Sequence, residues 1–263
     1  MEQIDFNCTM CGKCCNDLRL PLTVDESAAW LARGGQIQVL CEAVPWPEEP
    51  DAANLKAQHK RRRSFAAASG SLPVRVVVIL AAAFAGPCPN LQADNRCGIY
   101  AERPLVCRIY PAEINPFVPL APSNKACPPE AWAPSMPFVR QGEIVDAELR
   151  GLIARSRNAD ERDAPRKAAL CAALGIDRAA LANEGFVVFS PAPATLRAAL
   201  SDVDAGFEPP PGAFAWSIVS NQRKTVDVLI SIGAIGEFAD GVSDSLPRSY
   251  EYLGFLAPST TSA

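Results

Sequence analysis

Eight of the ten cysteines in this chain are grouped in a way that packing alone does not explain. Cys8, Cys11, Cys14 and Cys15 lie in the string FNCTMCGKCC; Cys88, Cys97, Cys107 and Cys127 follow. Thiols recurring at two-residue gaps return one sulfur after another to a single ion, so this spacing suits a metal. Four thiolates complete a structural zinc site or hold one cubane iron–sulfur cluster. Eight suffice for two mononuclear sites, or for one cluster and one zinc. Cys14 and Cys15 are neighbours, and the side chains of adjacent residues are expected to diverge. One of the pair is expected to face a second metal, to bridge two metals or to be a spare thiol.

The spacing leaves the metal open. Zinc ribbons show two CxxC knuckles, and only the first block has that form. Cys-x2-Cys-x2-Cys is also how bacterial ferredoxins place three ligands, with a remote Cys-Pro supplying a fourth. Cys88-Pro89 and Cys127-Pro128 share that dipeptide. Iron, mostly as an iron–sulfur cluster, and zinc are therefore both retained, against the bland alternative of reduced, metal-free thiols. All eight clustered cysteines are candidate metal ligands. Cys8, Cys11, Cys14, Cys88, Cys97 and Cys107 are taken as obligatory, and Cys15 and Cys127 as further candidates. Catalytic residues are not assigned. His59 is the only histidine, so a Cys–His pair has little to draw on, and no phosphate-binding glycine loop or nucleophile elbow occurs. Cys41 and Cys171 stand apart and read as core residues.

The elements that must position these thiols can be read in part. Thr23-x-x-Glu26 is a capping box, predicting a helix from about Val24 to Ala32 that Gly34-Gly35 ends. Residues 45–71 are rich in proline and charge and read as an insertion, with one helix near Leu55 to Phe65. Pro73 to Leu80 reads as a strand leading into the turn Gly86-Pro87-Cys88-Pro89. Asp94-Asn95 predicts a second turn, followed by a short strand from Cys97 to Tyr100. Pro104 suits the opening of a short helix that carries Cys107. The proline-rich stretch 111–138 is expected to be an ordered loop anchored by Cys127. Further on, Val145, Leu149, Leu152 and Ile153 mark one helical face. Asp163, Pro165 and Gly175 bracket a second helix, and Asp177 and Gly185 a third. Phe186 to Phe189 reads as a strand and Glu208 to Gly212 as a break. An apolar strand or helix surrounds Trp216, and a helix runs from about Arg223 to Ile232. The expected class is α+β. A small, irregular cysteine-rich domain with short strands and helices (1–130) precedes a mostly helical C-terminal region of unknown role (131–263).

Composition bounds the setting. With 263 residues and 49% hydrophobic side chains, the chain can bury a core without cysteine staples. A net charge of −4 argues against nucleic acid as a partner. The run His59-Lys60-Arg61-Arg62-Arg63 reads as a solvated helix end or loop, against a docking patch for an acidic partner. No secretory leader is visible, and the apolar run Val74 to Ala85 is too short to span a bilayer. The expectation is a cytoplasmic protein with no membrane contact, where thiols stay reduced and closely spaced cysteines serve metal or redox chemistry.

FNCTMCGKCC, followed by CPNLQADNRCGIYAERPLVCRIYP, resembles the YkgJ-type cysteine-cluster family of zinc- or iron-chelating proteins. The first block is matched by Cys8, Cys11, Cys14 and Cys15, and the second by Cys88 with Leu91. Cys97, Ile99, Tyr100, Arg103, Pro104, Cys107, Arg108, Tyr110 and Pro111 match the third. Cys127 lies where a late family cysteine is found. The resemblance spans roughly residues 6–130 and implies metal chelation by the thiols, without choosing between zinc and iron. At the motif's other positions, Arg103 and Arg108 are expected either to offset thiolate charge or to bond carboxylates and backbone carbonyls. Tyr100 and Tyr110 are expected to shield the site from water.

Three functions follow from these readings. One is a metal-binding protein in which zinc or iron mainly holds the fold. Another is an iron–sulfur-dependent redox or protein-modifying enzyme; a flagellin lysine methylase resembles the family in its cysteine cluster, although no methyl-donor motif is evident here. The third is an interaction module with a structural zinc, in which residues 131–263 bind a protein partner.

Overall fold

The computed structural model describes residues 3–134, 136–208, 215–239 and 250–261. In chain order its elements are β1 (Ile4–Asp5), β2 (Asn16–Leu22), α1 (Val24–Ala32), β3 (Ile37–Pro45), α2 (Leu55–Arg62), β4 (Ser64–Ser69), β5 (Leu72–Pro87), α3 (Leu105–Ile109), β6 (Pro137–Arg140), β7 (Glu143–Ile144), α4 (Ala147–Leu174), β8 (Arg178–Leu181), β9 (Gly185–Phe189), α5 (Pro193–Asp204), β10 (Ser217–Ser220), α6 (Arg223–Ser231), β11 (Ile235–Phe238) and β12 (Glu251–Gly254). Single 3-10 turns cover Lys13–Cys15, Tyr100–Glu102, Pro122–Asn124 and Pro129–Trp132. The α+β class expected from the sequence is the one observed. Among the described residues no helix is long and apolar enough to cross a membrane.

Two compact units form, each from two separate stretches of chain: Met1–Leu22 with Ala82–Ala159, and Thr23–Ala81 with Asp160–Ala263. The second unit is built on a sheet in which β11, β10, β8 and β3 run parallel, with β5 beside β3 and β4 antiparallel to β5. β9 pairs antiparallel with both β3 and β12. Val39, Val76, Leu80, Val187, Ile218 and Val219 are fully enclosed, as expected of strands covered on both faces. α1 begins with its complete capping box, and the Val24 N–H donates to the buried Asp163 carboxylate at 2.8 Å.

The first unit holds the three-stranded sheet β1-β6-β7 and a small core. Ile109 and Ala112 meet Leu149, Leu152 and Ile153 of α4 there. β2 is hydrogen-bonded to β5, whose last residues, from Ala82, belong to this unit. Cys88 follows that strand directly, so the pairing of β2 with β5 carries two blocks of the motif toward each other.

Several local expectations hold, and others are overturned by tertiary context. The helix at Val24–Ala32 is as expected, as are the strand at Gly185–Phe189, the helix from Arg223 and the short helix that follows Pro104. The 45–71 stretch is not an insertion outside the fold. β4 forms a hairpin with β5 through Gly70-Ser71, where Gly70 has φ +57° and a Cβ would lie 2.3 Å from the Gly233 carbonyl oxygen. The two helices expected around Pro165 are one, because Pro165 removes a single N–H while apolar faces on both sides of it stay packed. The expected third helix at 177–185 is instead β8. Ala179 and Ala180 are fully buried between the parallel neighbours β3 and β10, and small side chains there favour the sheet over their helical propensity. The expected strand at Cys97–Tyr100 reduces to one bridge, between Cys97 and Leu91, before a 3-10 turn. α5 has no counterpart in the sequence reading. Most of the expected break at Glu208 to Gly212 lies outside the described residues.

Candidate metal centre

All eight clustered cysteines fall in the first unit. Cys8 is exposed and the other seven are half-buried, and none forms a disulfide. Backbone contacts explain how remote stretches bring them together. At the N-terminal end, the Asn7 N–H donates to the Ala131 carbonyl at 2.9 Å and the Phe6 N–H to the Met136 carbonyl at 3.0 Å. The Phe6 ring lies 4.8 Å from the Trp132 ring. These ties hold the segment carrying Cys8 beside the turn that follows Cys127. The string then folds on left-handed residues, Met10 with φ 52° and Gly12 with φ 71°. A side chain at Gly12 would meet Asn95 Oδ1 at 3.0 Å, so the glycine serves both the turn and a close approach.

The second group of ties begins at Cys15. The Cys88 N–H donates to the Cys15 carbonyl at 2.7 Å, and the Gly86 N–H to Asp17 Oδ1 at 2.6 Å. From Cys88 the chain makes a tight loop. The Leu91 N–H bonds the Cys88 carbonyl at 2.9 Å, the Gln92 N–H the Arg96 carbonyl at 2.8 Å, and Cys97 bridges back to Leu91. The 3-10 turn Tyr100–Glu102 then leads to Pro104, which caps α3, and α3 packs against β2 with Cys107 on it.

The electrostatics follow from crowding thiols into one half-buried region. Burial pushes Cys14 up to about 12, and the charges of Cys15, Cys127 and Cys8 add to the rise. Burial likewise pushes Cys107 up to about 12, with Cys15, Cys88 and Cys97 adding and Arg103 opposing. Cys15 is raised by burial, then by Cys88 and Cys97, while its hydrogen bond with Cys14 and the Arg103 charge pull the other way. Cys127 is raised by burial and by Cys11 and Cys8, opposed by Tyr110 and Lys125. In the metal-free protein these four thiols hold their protons at neutral pH. A thiolate becomes favourable there when a cation takes it. Among the described residues, no group of three or more His, Cys, Asp or Glu side chains already stands in a metal-holding arrangement. The donor set nevertheless fits a thiophilic metal: eight sulfurs, two flanking cations, and no histidine among them.

The other motif residues divide. Arg108 pairs with Glu148 at 3.3 Å, a salt bridge rather than a sulfur contact. Arg103 does two things: its Nε donates to the Tyr100 carbonyl at 3.0 Å, and its charge offsets Cys15 and Cys107. Tyr100 is 67% exposed, which does not suit the shielding role expected of it; its ring carries the Arg103 guanidinium at 3.7 Å. Tyr110 comes nearer to the chemistry than a shield. Its hydroxyl accepts the Ala126 N–H at 2.9 Å and lies 3.7 Å from Cys127 Sγ. Burial and the Cys127 contact raise the phenol well above its ordinary range.

Outside the motif, Cys41 and Cys171 are both buried in the second unit, as expected of core residues. The two thiols touch, and burial followed by this contact holds Cys41 far above its usual value. Their pairing had no signal in the sequence, since it joins β3 to α4 across a long stretch of chain. The basic run forms the last turn of α2 and its cap; Arg61 and Arg62 are exposed, with Arg61 on Glu49 at 2.7 Å, whereas His59, Lys60 and Arg63 are half-buried rather than solvated. A cavity of about 370 Å³ in the first unit is lined by Glu113, Phe117, Val118, Leu120 and Val139 among others, and by none of the eight cysteines.

Comparison with known families bears directly on this cluster. Residues 7–128 match the CxxCxxCC family model. That family is described as a putative zinc- or iron-chelating domain, and it is the one the cysteine motif resembles. The CxxCxxCC segment encloses all eight clustered cysteines, together with Arg103, Tyr110 and the Cys-Pro pairs. No curated protein and no solved structure gives a significant match.

Proposed function

We propose that this protein binds zinc or iron through its clustered cysteine thiolates, with Cys8, Cys11, Cys14, Cys15, Cys88, Cys97, Cys107 and Cys127 as the ligands. The observation that carries this reading is the convergence of thiols from remote stretches of chain in the first unit, where each raised thiol feels the charge of others. Such crowding opposes ionisation of the thiols unless a cation is bound, because desolvation and mutual repulsion both disfavour the thiolates. The CxxCxxCC match supports the same reading.

A zinc ion held by four thiolates has no open position, so zinc bound in this way serves the fold. An iron–sulfur cluster would add electron transfer, and the Cys88-Pro89 and Cys127-Pro128 pairs are the sequence features that favour it. Either cofactor suits a compartment that keeps thiols reduced, which is the basis for a cytoplasmic location.

The test is metal content by mass spectrometry on anaerobically purified protein, with acid-labile sulfide and a visible spectrum on the same sample. Iron and sulfide in near-equal amounts would support a cluster. Zinc without sulfide would support a closed structural site. Protein that carries neither metal and takes up neither on reconstitution would end the chelation reading.

A further inference from the structure

We propose that Cys41 and Cys171 are a redox-sensitive pair in the second unit: a peroxide oxidises them to a disulfide, which then staples β3 to α4. None of the eight clustered cysteines belongs to this unit, so the proposal stands apart from the chelation reading.

The topology brings the two thiols together. Gly175 to Asp177 alone separate the end of α4 from β8, and β8 runs parallel to β3, with Ala180 opposite Glu42 and Leu181 opposite Ala43. Gly175, with φ 65°, and the 2.8 Å bond from the Ile176 N–H to the Cys171 carbonyl close off the helix. So short a link keeps the last turn of α4, with Cys171 in it, close to β3. On β3, Cys41 stands opposite Val187 of β9, and Val39 and Ala43 on either side of it are fully enclosed. Cys41 is 0% exposed and Cys171 1%, and the two side chains are hydrogen-bonded to each other. Packing alone asks only for apolar volume on both sides. Sulfur against sulfur also supplies both halves of a disulfide, with little movement asked of β3 or α4.

The oxidant is a small peroxide. One sulfur, ionised, attacks the O–O bond and becomes a sulfenic acid; the displaced hydroxide takes a proton and leaves as water. The second thiol gives up its proton and attacks that sulfur. The S–S bond forms, the S–O bond breaks, and a second water leaves. Each sulfur loses one electron, and each peroxide oxygen gains one. Burial gates the reaction: in the closed fold neither thiol meets solvent, so the bond sets only after β3 and α4 part transiently and admit the peroxide. Once set, it joins residues far apart in the chain and removes much of the freedom of the unfolded state. The oxidised protein is therefore harder to open than the reduced one.

The experiment exposes the reduced, metal-free full-length chain to hydrogen peroxide and traps the remaining thiols with N-ethylmaleimide in denaturant. Peptide mass spectrometry, with and without reduction, then maps every cysteine. A peptide pair joining Cys41 to Cys171 is expected, with a thermal midpoint higher by about 5–10 °C that dithiothreitol reverses. Cys41→Ala and Cys171→Ala, treated alike, control for oxidation of the clustered thiols and are expected to show neither the linked peptides nor that rise. Recovery of Cys41 and Cys171 as maleimide adducts after the clustered cysteines have oxidised would overturn the proposal. So would their joining to clustered cysteines instead of to each other, or a bond between them that leaves the midpoint unchanged or lowers it. The peptide map of the parent chain decides the pairing even where a variant does not fold.

Discussion

Tyr110 is the residue that brings the most chemistry to the cluster beyond the sulfurs. Its hydroxyl bonds the Ala126 N–H and touches Cys127, so it can donate to that sulfur once the thiol is ionised. Groups that orient metal ligands in this way typically control affinity by about 10–100-fold. Tyr110→Phe is expected to weaken metal binding by about tenfold in competition with a chelator. The thermal midpoint of the metal-free protein should move little, because Ala126 is exposed and water can take its N–H. Equal affinity in the two proteins would reduce Tyr110 to packing. The raised thiols make a second prediction at this scale. Cys14 and Cys107 stand near 12 in the fold against an ordinary 9.0, so the fold binds their protons more tightly than the unfolded chain does. Their contribution is fully present below about pH 9 and is lost as pH rises toward about 12. Urea midpoints of the metal-free protein should therefore fall between pH 8 and pH 10. Metal affinity should rise over the same range, since binding releases those protons. A flat urea profile would mean that the thiols are not desolvated as described.

The elements show which local rules survive in the fold. α1 is the clearest case, because its start is fixed twice: by the Thr23–Glu26 capping box and by the Asp163 carboxylate at the Val24 N–H. The first lies within one turn of sequence and was legible; the second comes from α4 and was not. They should also differ in energy. Thr23→Ala is expected to cost about 1 kcal/mol, the usual value of a cap. Asp163→Ala is expected to cost about 2–3 kcal/mol, because it strips a charged acceptor from a buried N–H. Denaturant midpoints of the two variants, with unchanged slopes, would check the order; a reversed order would mean that Asp163 is not the anchor of α1. β8 and α4 teach the opposite lesson. Alanine-rich residues near 178 have helical propensity, and Pro165 has helix-breaking chemistry, yet burial against β3 and β10 and apolar packing along α4 override both.

At the scale of the whole molecule, the two units differ in how they are held. The second has a sheet of fully enclosed aliphatic strands. The first has a small core around Ile109 and a long stretch, Cys88 to Met136, organised mainly by turns. Metal should therefore matter far more to the first. Hydrogen exchange of the loaded protein after treatment with a chelator is expected to speed up in 8–22, 88–110 and 122–132, while β3, β8 and β10 keep their protection. Equal acceleration in both units would show that the metal supports the entire fold instead.

By itself the sequence determined the clustering of eight cysteines, the α+β class, the cap of α1 and the family resemblance. Each of these is written in residue types at short, regular spacing, where propensity and chelate geometry act within a turn or two. Only the tertiary structure decided the rest: that 45–71 joins the sheet, that Cys41 meets Cys171, and that Tyr110 rather than Tyr100 attends the thiols. It also decided which remote segments meet, tying the segment that carries Cys8 to the turn after Cys127 and Cys88 to Cys15. The reason is physical. Such partnerships depend on backbone hydrogen bonds and packing between segments remote in the chain, and no local pattern encodes which remote segment will supply them.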